Sequence, residues 1–209
     1  MANSTIAVTP GSGSTIAVYS DASSQLFQRV FTSPDGNQEK TYFANYKAQS
    51  AGTSATTNIW TFAGAASTVV KVTRITVSAT ASTAAAIFDL CLNRQTAVDT
   101  GGTAATAATI LKAAVADGTA AAAAPIFYTA APTAGTTTGT QWSAKLYAPI
   151  TSTGSTGGPV IEVLGAPGRA AKPITLTSTT DIIALTLNGA TPANATSFDI
   201  HVEWSEVAA

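Results

Sequence analysis

Segment 197–204, SFDIHVEW, places Phe198, Ile200, Val202 and Trp204 on one side of an alternation and Asp199, His201 and Glu203 on the other. A period of two marks a strand with one buried face. Burying those apolar side chains contributes roughly 1.5–3 kcal/mol each. A slip of one residue would turn the polar set inward, so the register is well specified. Whatever fold the chain adopts must offer this strand an apolar layer to lie on.

Similar runs recur from residue 57 onward, separated by Gly, Pro, Ser and Thr turns. In AIFDLCLNR, Phe88, Leu90 and Leu92 alternate with Asp89, Cys91 and Asn93. In QWSAKLYA, Trp142, Ala144 and Leu146 alternate with Ser143 and Lys145. DIIALTLNG sets Ile183, Leu185 and Leu187 on one side and ends on Asn188-Gly189, a hairpin-turn signal. PVIEVLG and KPITLTS read as shorter strands opened by a proline, and IWTFAG as another. VVKVTRITVSA changes its apolar face near Arg74, from Val70 and Val72 to Ile75 and Val77, which a β-bulge explains. Within the Ala-rich stretch that follows, 109–115 reads as a strand, 116–124 as a loop and 126–130 as a strand. About nine or ten strands with almost no helix indicate an all-β, antiparallel β-sandwich or jelly roll over residues 57–209.

Residues 1–56 differ. The five residues STIAV occur at 4–8 and again at 14–18, with a turn-forming TPGSG between them. Large apolar side chains are too sparse for a separate globule, so this segment reads as an extended or hairpin arm that orders by contact. A second hairpin is expected from LFQRVFT and KTYFANY around SPDGNQ. The candidate contact residues of the arm are Ile6, Val8, Ile16, Val18, Phe27, Phe31, Tyr42 and Phe43.

The pattern argues for assembly rather than chemistry. Only 10% of the residues are charged, the net charge is −1, and Ala and Thr supply more than a third of the chain. Soluble monomers usually carry more charge to keep copies apart. No Lys/Arg cluster offers the phosphate contacts that nucleic acid requires. No apolar run approaches the roughly 20 residues of a membrane span, and the first residues lack the pattern of a signal peptide. The lone Cys91 allows no intrachain disulfide.

His201, flanked by Asp199 and Glu203, raises a metal or acid–base reading, but a zinc site needs three or four ligands and there is no second histidine. A solvated polar face is the reading taken. Asp99-Thr100-Gly101-Gly102 reads as a turn rather than a calcium loop. Trp60, Trp142 and Trp204 could stack sugars, but the alternation around Trp142 and Trp204 favours the core. A carboxylate pair for hydrolysis would have to come from Asp89, Glu162 or Asp181. No catalytic set, cofactor or metal site is expected.

From Trp60 onward the chain resembles a virion protein family of tailed bacteriophages. The residues that carry the resemblance are IWTFAGAASTVVKVTRITVSATAST, TGGT at 100–103, YTAAPTAGTTTGT, GPVIEVLGAPGRAAKPITL, LTLNGATP and FDIHVEWSE. It implies a β-sandwich, often jelly-roll-like, made in the host bacterial cytoplasm. Such a protein sits on the virion surface as a decoration or cement protein, commonly a trimer, with the major capsid protein as partner. A tail-fibre or minor tail module recognising host glycan is the alternative. Residues 1–56 lie outside the pattern.

Overall fold

The structure is a computed structural model describing residues 16–20, 26–30, 39–51, 58–151, 158–164, 173–192 and 196–208. The chain divides into two compact units, Met1–Glu39 and Lys40–Ala209. In the first, β1 (Ile16–Ser20) and β2 (Leu26–Val30) pair antiparallel from Ile16↔Val30 to Ser20↔Leu26.

The second unit holds β3 (Lys40–Ser50), β4 (Asn58–Ala63), β5 (Thr68–Ala81), β6 (Ala86–Gln95), β7 (Thr103–Ala104), β8 (Leu111–Lys112) and β9 (Ile126–Ala130). It continues with β10 (Thr137–Ala148), β11 (Ile161–Leu164), β12 (Ile174–Leu176), β13 (Ile182–Thr186) and β14 (Thr196–Ala208). No α-helix occurs among the described residues. The strands form two antiparallel six-stranded sheets packed face to face, with the orders β10-β6-β13-β4-β9-β7 and β11-β5-β14-β3-β8, and β12 beside β5 in the second. The chain is therefore an antiparallel β-sandwich.

Taken alone, β3, β4, β5, β6, β10, β11, β13 and β14 give two four-stranded orders, first-eighth-third-sixth and second-seventh-fourth-fifth in sequence. That is the strand order of a jelly roll. Strands β7 to β9 belong to an insertion between its fourth and fifth strands.

The core lies between the sheets. On β14, Phe198, Ile200, Val202 and Trp204 are all buried, as their alternation requires. Trp204 meets Phe62 of the facing sheet at 4.9 Å between ring centroids and stacks on Tyr42 at 5.7 Å. Phe198 packs against Phe88 and Phe127. Trp60 is fully buried and Trp142 packs partly buried against the core, so the three tryptophans form no exposed platform.

The expected bulge in β5 is present. Glu203 of β14 faces Arg74, whereas its neighbour Trp204 faces Val72, leaving Thr73 as the extra residue. Thr73 and Arg74 are both exposed, and the apolar stripe resumes at Ile75.

Four expectations need correction. The sandwich begins at Lys40 rather than residue 57, because β3 pairs with β14 over nearly its whole length. β3 is therefore no hairpin partner of β2, which pairs with β1 instead. The strand expected over 109–115 is only Leu111–Lys112, both exposed, with Ala113 and Ala114 already turning. Asn188 and Gly189 do make a turn with positive φ values of 46° and 86°, and Ala190 N–H donates to Leu187 O at 3.0 Å. However, the strands on either side of that turn, β13 and β14, lie in opposite sheets, so it reverses the chain without making a hairpin.

Candidate functional site

The expected arm residues separate into three groups. Ile6, Val8 and Phe31 lie outside the described residues. Ile16 and Val18 are on β1, opposite Val30 and Gln28, and Phe27 is on β2 opposite Tyr19, one position out of phase with them. Tyr42 and Phe43 belong to the sandwich. Tyr42 is a core residue with no exposed surface, and its hydroxyl donates to Gly118 O at 3.2 Å. Burial, then the charges of Glu206 and Asp117, hold its pKa above the ordinary value. It cannot serve as a docking contact. Phe43, one residue on, is half-buried on the outer face and stacks on His201 at 6.1 Å.

The three carboxylates considered for hydrolysis are not brought together. Asp89 pairs with Lys145 at 2.5 Å, Asp181 with Arg94 at 2.5 Å, and Glu162, in the opposite sheet, with Arg74 at 3.3 Å. Cys91 shares a face of β6 with Asp89 and Asn93 yet is buried, and burial, reinforced by Asp89, raises its pKa. Asp99 accepts from Asn58 Nδ2 and from Gly135 N–H, each at 2.8 Å, and so ties the turn at Gly101-Gly102 to a neighbouring loop. Among the described residues no three His, Cys, Asp or Glu side chains cluster as a metal site would need. No helix there is long and apolar enough to cross a membrane.

What the structure does assemble is a groove on the outer face of the sheet holding β3, β14 and β5, with more apolar than polar lining surface and hydrogen-bonding side chains on its floor. Its volume is about 400 Å³. The floor consists of two rows of cross-strand neighbours. In the first, His201 lies between Asn45 on one side and Thr76 on the other. In the second, Asp199 faces Ser78 across β5.

On the β3 side of the second row the ladder is broken. Phe198 pairs with Gln49 and Ile200 with Tyr46, so Asp199 alone opposes Lys47 and Ala48. This is a β-bulge, a device that re-aims side chains. Ala48 takes a left-handed φ of 52°, and its N–H donates to Asp199 Oδ1 at 2.6 Å. Ser78 Oγ lies 3.4 Å from the other carboxylate oxygen. The bulge leaves Lys47 and Ala48 both exposed, where alternation would have turned one of them inward.

His201 is fixed by its neighbours. Its Nδ1 lies 2.7 Å from Asn45 Oδ1, and since an amide oxygen only accepts, the ring proton sits on Nδ1 and Nε2 is left as an acceptor. Burial, then the charge of Arg74, lowers its pKa, with Glu203 pulling the other way. The imidazole is thus neutral near pH 7.

Sequence reading singled out His201 and Asp199 in this site but not Asn45, Lys47, Thr76 or Ser78. One local signal was available: the buried alternation Tyr42, Ala44, Tyr46 stops abruptly at Lys47-Ala48. Comparison of the chain with protein-family models, with curated proteins and with solved structures gave no match.

Proposed function

We propose that this chain is a non-enzymatic structural protein of a phage particle, one that decorates the capsid and braces neighbouring capsid subunits. The observation that carries the reading is the architecture: a jelly-roll sandwich in one compact unit, joined in sequence to a short N-terminal unit containing a separate two-stranded ribbon. An isolated two-stranded ribbon is marginally stable in water. A partner surface would stabilise it, and strand addition to another chain would supply backbone hydrogen bonds. The resemblance of the region from Trp60 onward to phage virion proteins points the same way. So does a surface built from Thr, Ser and Ala with few charges. In this reading the major capsid protein is the partner, the chain acts as a homo-oligomer, with a trimer favoured, and it resides on the particle surface. Each bound copy raises the resistance of the shell by mass action.

The test is localisation. Antibody raised against the chain should label the heads of particles purified from the source that encodes it, and a variant lacking residues 1–39 should label them far less. Label confined to tails would favour the tail-module reading, and absence from particles would sink both.

A further inference from the structure

We propose that the groove over β3, β14 and β5 binds one uncharged sugar ring, a pyranose with free hydroxyls. The inference is independent of the capsid reading, since it rests on the groove alone. Three features lead to it.

First, the space and its lining suit such a ring. About 400 Å³ falls at the small end of ligand sites. Val160, 69% exposed, forms an apolar wall beside a floor of hydrogen-bonding groups. A pyranose has the matching character, carbon on its ring faces and hydroxyls around its rim.

Second, the groups on the floor can meet hydroxyls in both of their roles. Asn45 spends its Oδ1 on His201, so its amide N–H groups remain as donors. His201 offers Nε2 as an acceptor. Thr76 brings a hydroxyl that donates and accepts, and Lys47 lines the same groove with an ammonium that makes no ion pair among the described residues. A hydroxyl is the partner that satisfies donors and acceptors alike.

Third, the charges balance. Among the residues that line the groove, the charge of Lys47 is offset by that of Asp199. An anion would meet the Asp199 carboxylate and a cation the Lys47 ammonium, so a neutral ligand is favoured over either.

The floor is also held rigid in a conformation that has a cost. An Ala at φ 52° is strained, and the Asp199 carboxylate holds it there. Without the bulge, alternation could not leave Lys47 and Ala48 both exposed, with Lys47 at the groove. Strain retained to present side chains is what a binding surface needs.

The experiment is a titration of the full chain, labelled with nitrogen-15, by the methyl glycosides of glucose, mannose and galactose, and by glucuronate as a charged control. At least one glycoside should shift the amides of residues 45–48, 76–78 and 199–201 saturably, in the roughly millimolar range of a small ligand with few contacts. Glucuronate should bind at least several-fold more weakly. Asn45→Ala should weaken binding about tenfold. Val160→Asp, at an exposed position where folding is safe, should weaken it likewise. The proposal is overturned if none of the three glycosides moves those amides. It is equally overturned if glucuronate binds best, or if both variants bind as the unmodified chain does.

Discussion

Trp204 and Glu206 stand two residues apart on β14, and the indole N–H of the first donates to the carboxylate of the second at 3.0 Å. The apolar stripe of β14 thus ends in a buried acid. Glu206 also accepts from the backbone N–H groups of Ala121 at 2.7 Å and Ala122 at 3.0 Å. Nearby, Tyr42 donates to Gly118 O, and Tyr46 donates to Pro125 O at 2.5 Å. Three inward-facing polar tips therefore fasten the insertion between β6 and β10 to the jelly roll.

Glu206→Ala leaves three donors without their acceptor. An unsatisfied buried group costs about 1–3 kcal/mol, and part of this is recovered when water reaches the loop. The expected loss is about 3 kcal/mol, read as a fall of roughly 6–12 °C in melting temperature for a chain of this size. Glu206→Gln keeps one acceptor oxygen and should lose about half as much. Calorimetry of the two variants checks this. A change under about 1 kcal/mol in Glu206→Ala would mean that the loop amides find other partners.

Ala48 offers a test in the opposite direction. A left-handed φ disfavours any residue with a Cβ by about 1–2 kcal/mol, and glycine escapes that penalty at some entropic cost in the unfolded chain. Ala48→Gly should therefore stabilise the protein by about 0.5–1 kcal/mol. Ala48→Val should destabilise it by more than about 1 kcal/mol, since a β-branched side chain tolerates that φ least. Chemical denaturation midpoints would reveal both signs, and a destabilised glycine variant would argue against strain at the bulge.

Two glycines separate steric from conformational demand. A Cβ on Gly135 would lie 1.9 Å from Ala97 O, a backbone atom that cannot step aside. Gly135→Ala must shift the loop that Asp99 anchors, so a loss of about 3 kcal/mol is expected. A Cβ on Gly189 would meet nothing within 4 Å, and only its φ of 86° resists substitution. Gly189→Ala should cost about 1 kcal/mol. Equal losses in the two variants would contradict this division.

These features differ in how far they could be read from the sequence. β14 and the bulge in β5 were legible because each is written in consecutive residues, as the stripe from Phe198 to Trp204 and the change of face at Arg74. β3 was legible as a strand but not as part of the sandwich. Its partner is remote in sequence, with Tyr42 opposite Trp204 and Asn45 opposite His201. The sparse apolar content around β3 gave no hint that the hydroxyls of Tyr42 and Tyr46 are held by carbonyls of the insertion. Asn188-Gly189 fixes local backbone angles, but no local pattern states which sheet the next strand enters. The groove is harder still. It exists only because Asn45, His201 and Thr76 become neighbours across three strands, and its bulge pairs Ala48 with a carboxylate 151 residues away.

His201 gives the fold a dependence on pH. Burial and the charge of Arg74 lower its folded pKa below the value of about 6.5 that the unfolded chain has. Below pH 6.5 the unfolded state therefore takes up the proton more readily than the folded state. Stability contributed by the neutral ring is thus present above about pH 6.5 and is lost as the pH falls from there through the folded pKa. Protonation also turns Nε2 from an acceptor into a donor and adds a positive charge beside Arg74. The melting temperature should accordingly fall between about pH 7 and pH 5. His201→Gln, which can keep a hydrogen bond to Asn45 but does not titrate, should show a shallower fall over the same interval. Amide and imidazole resonances followed through the titration would locate the transition. An unchanged slope in His201→Gln would assign the acid sensitivity to other groups.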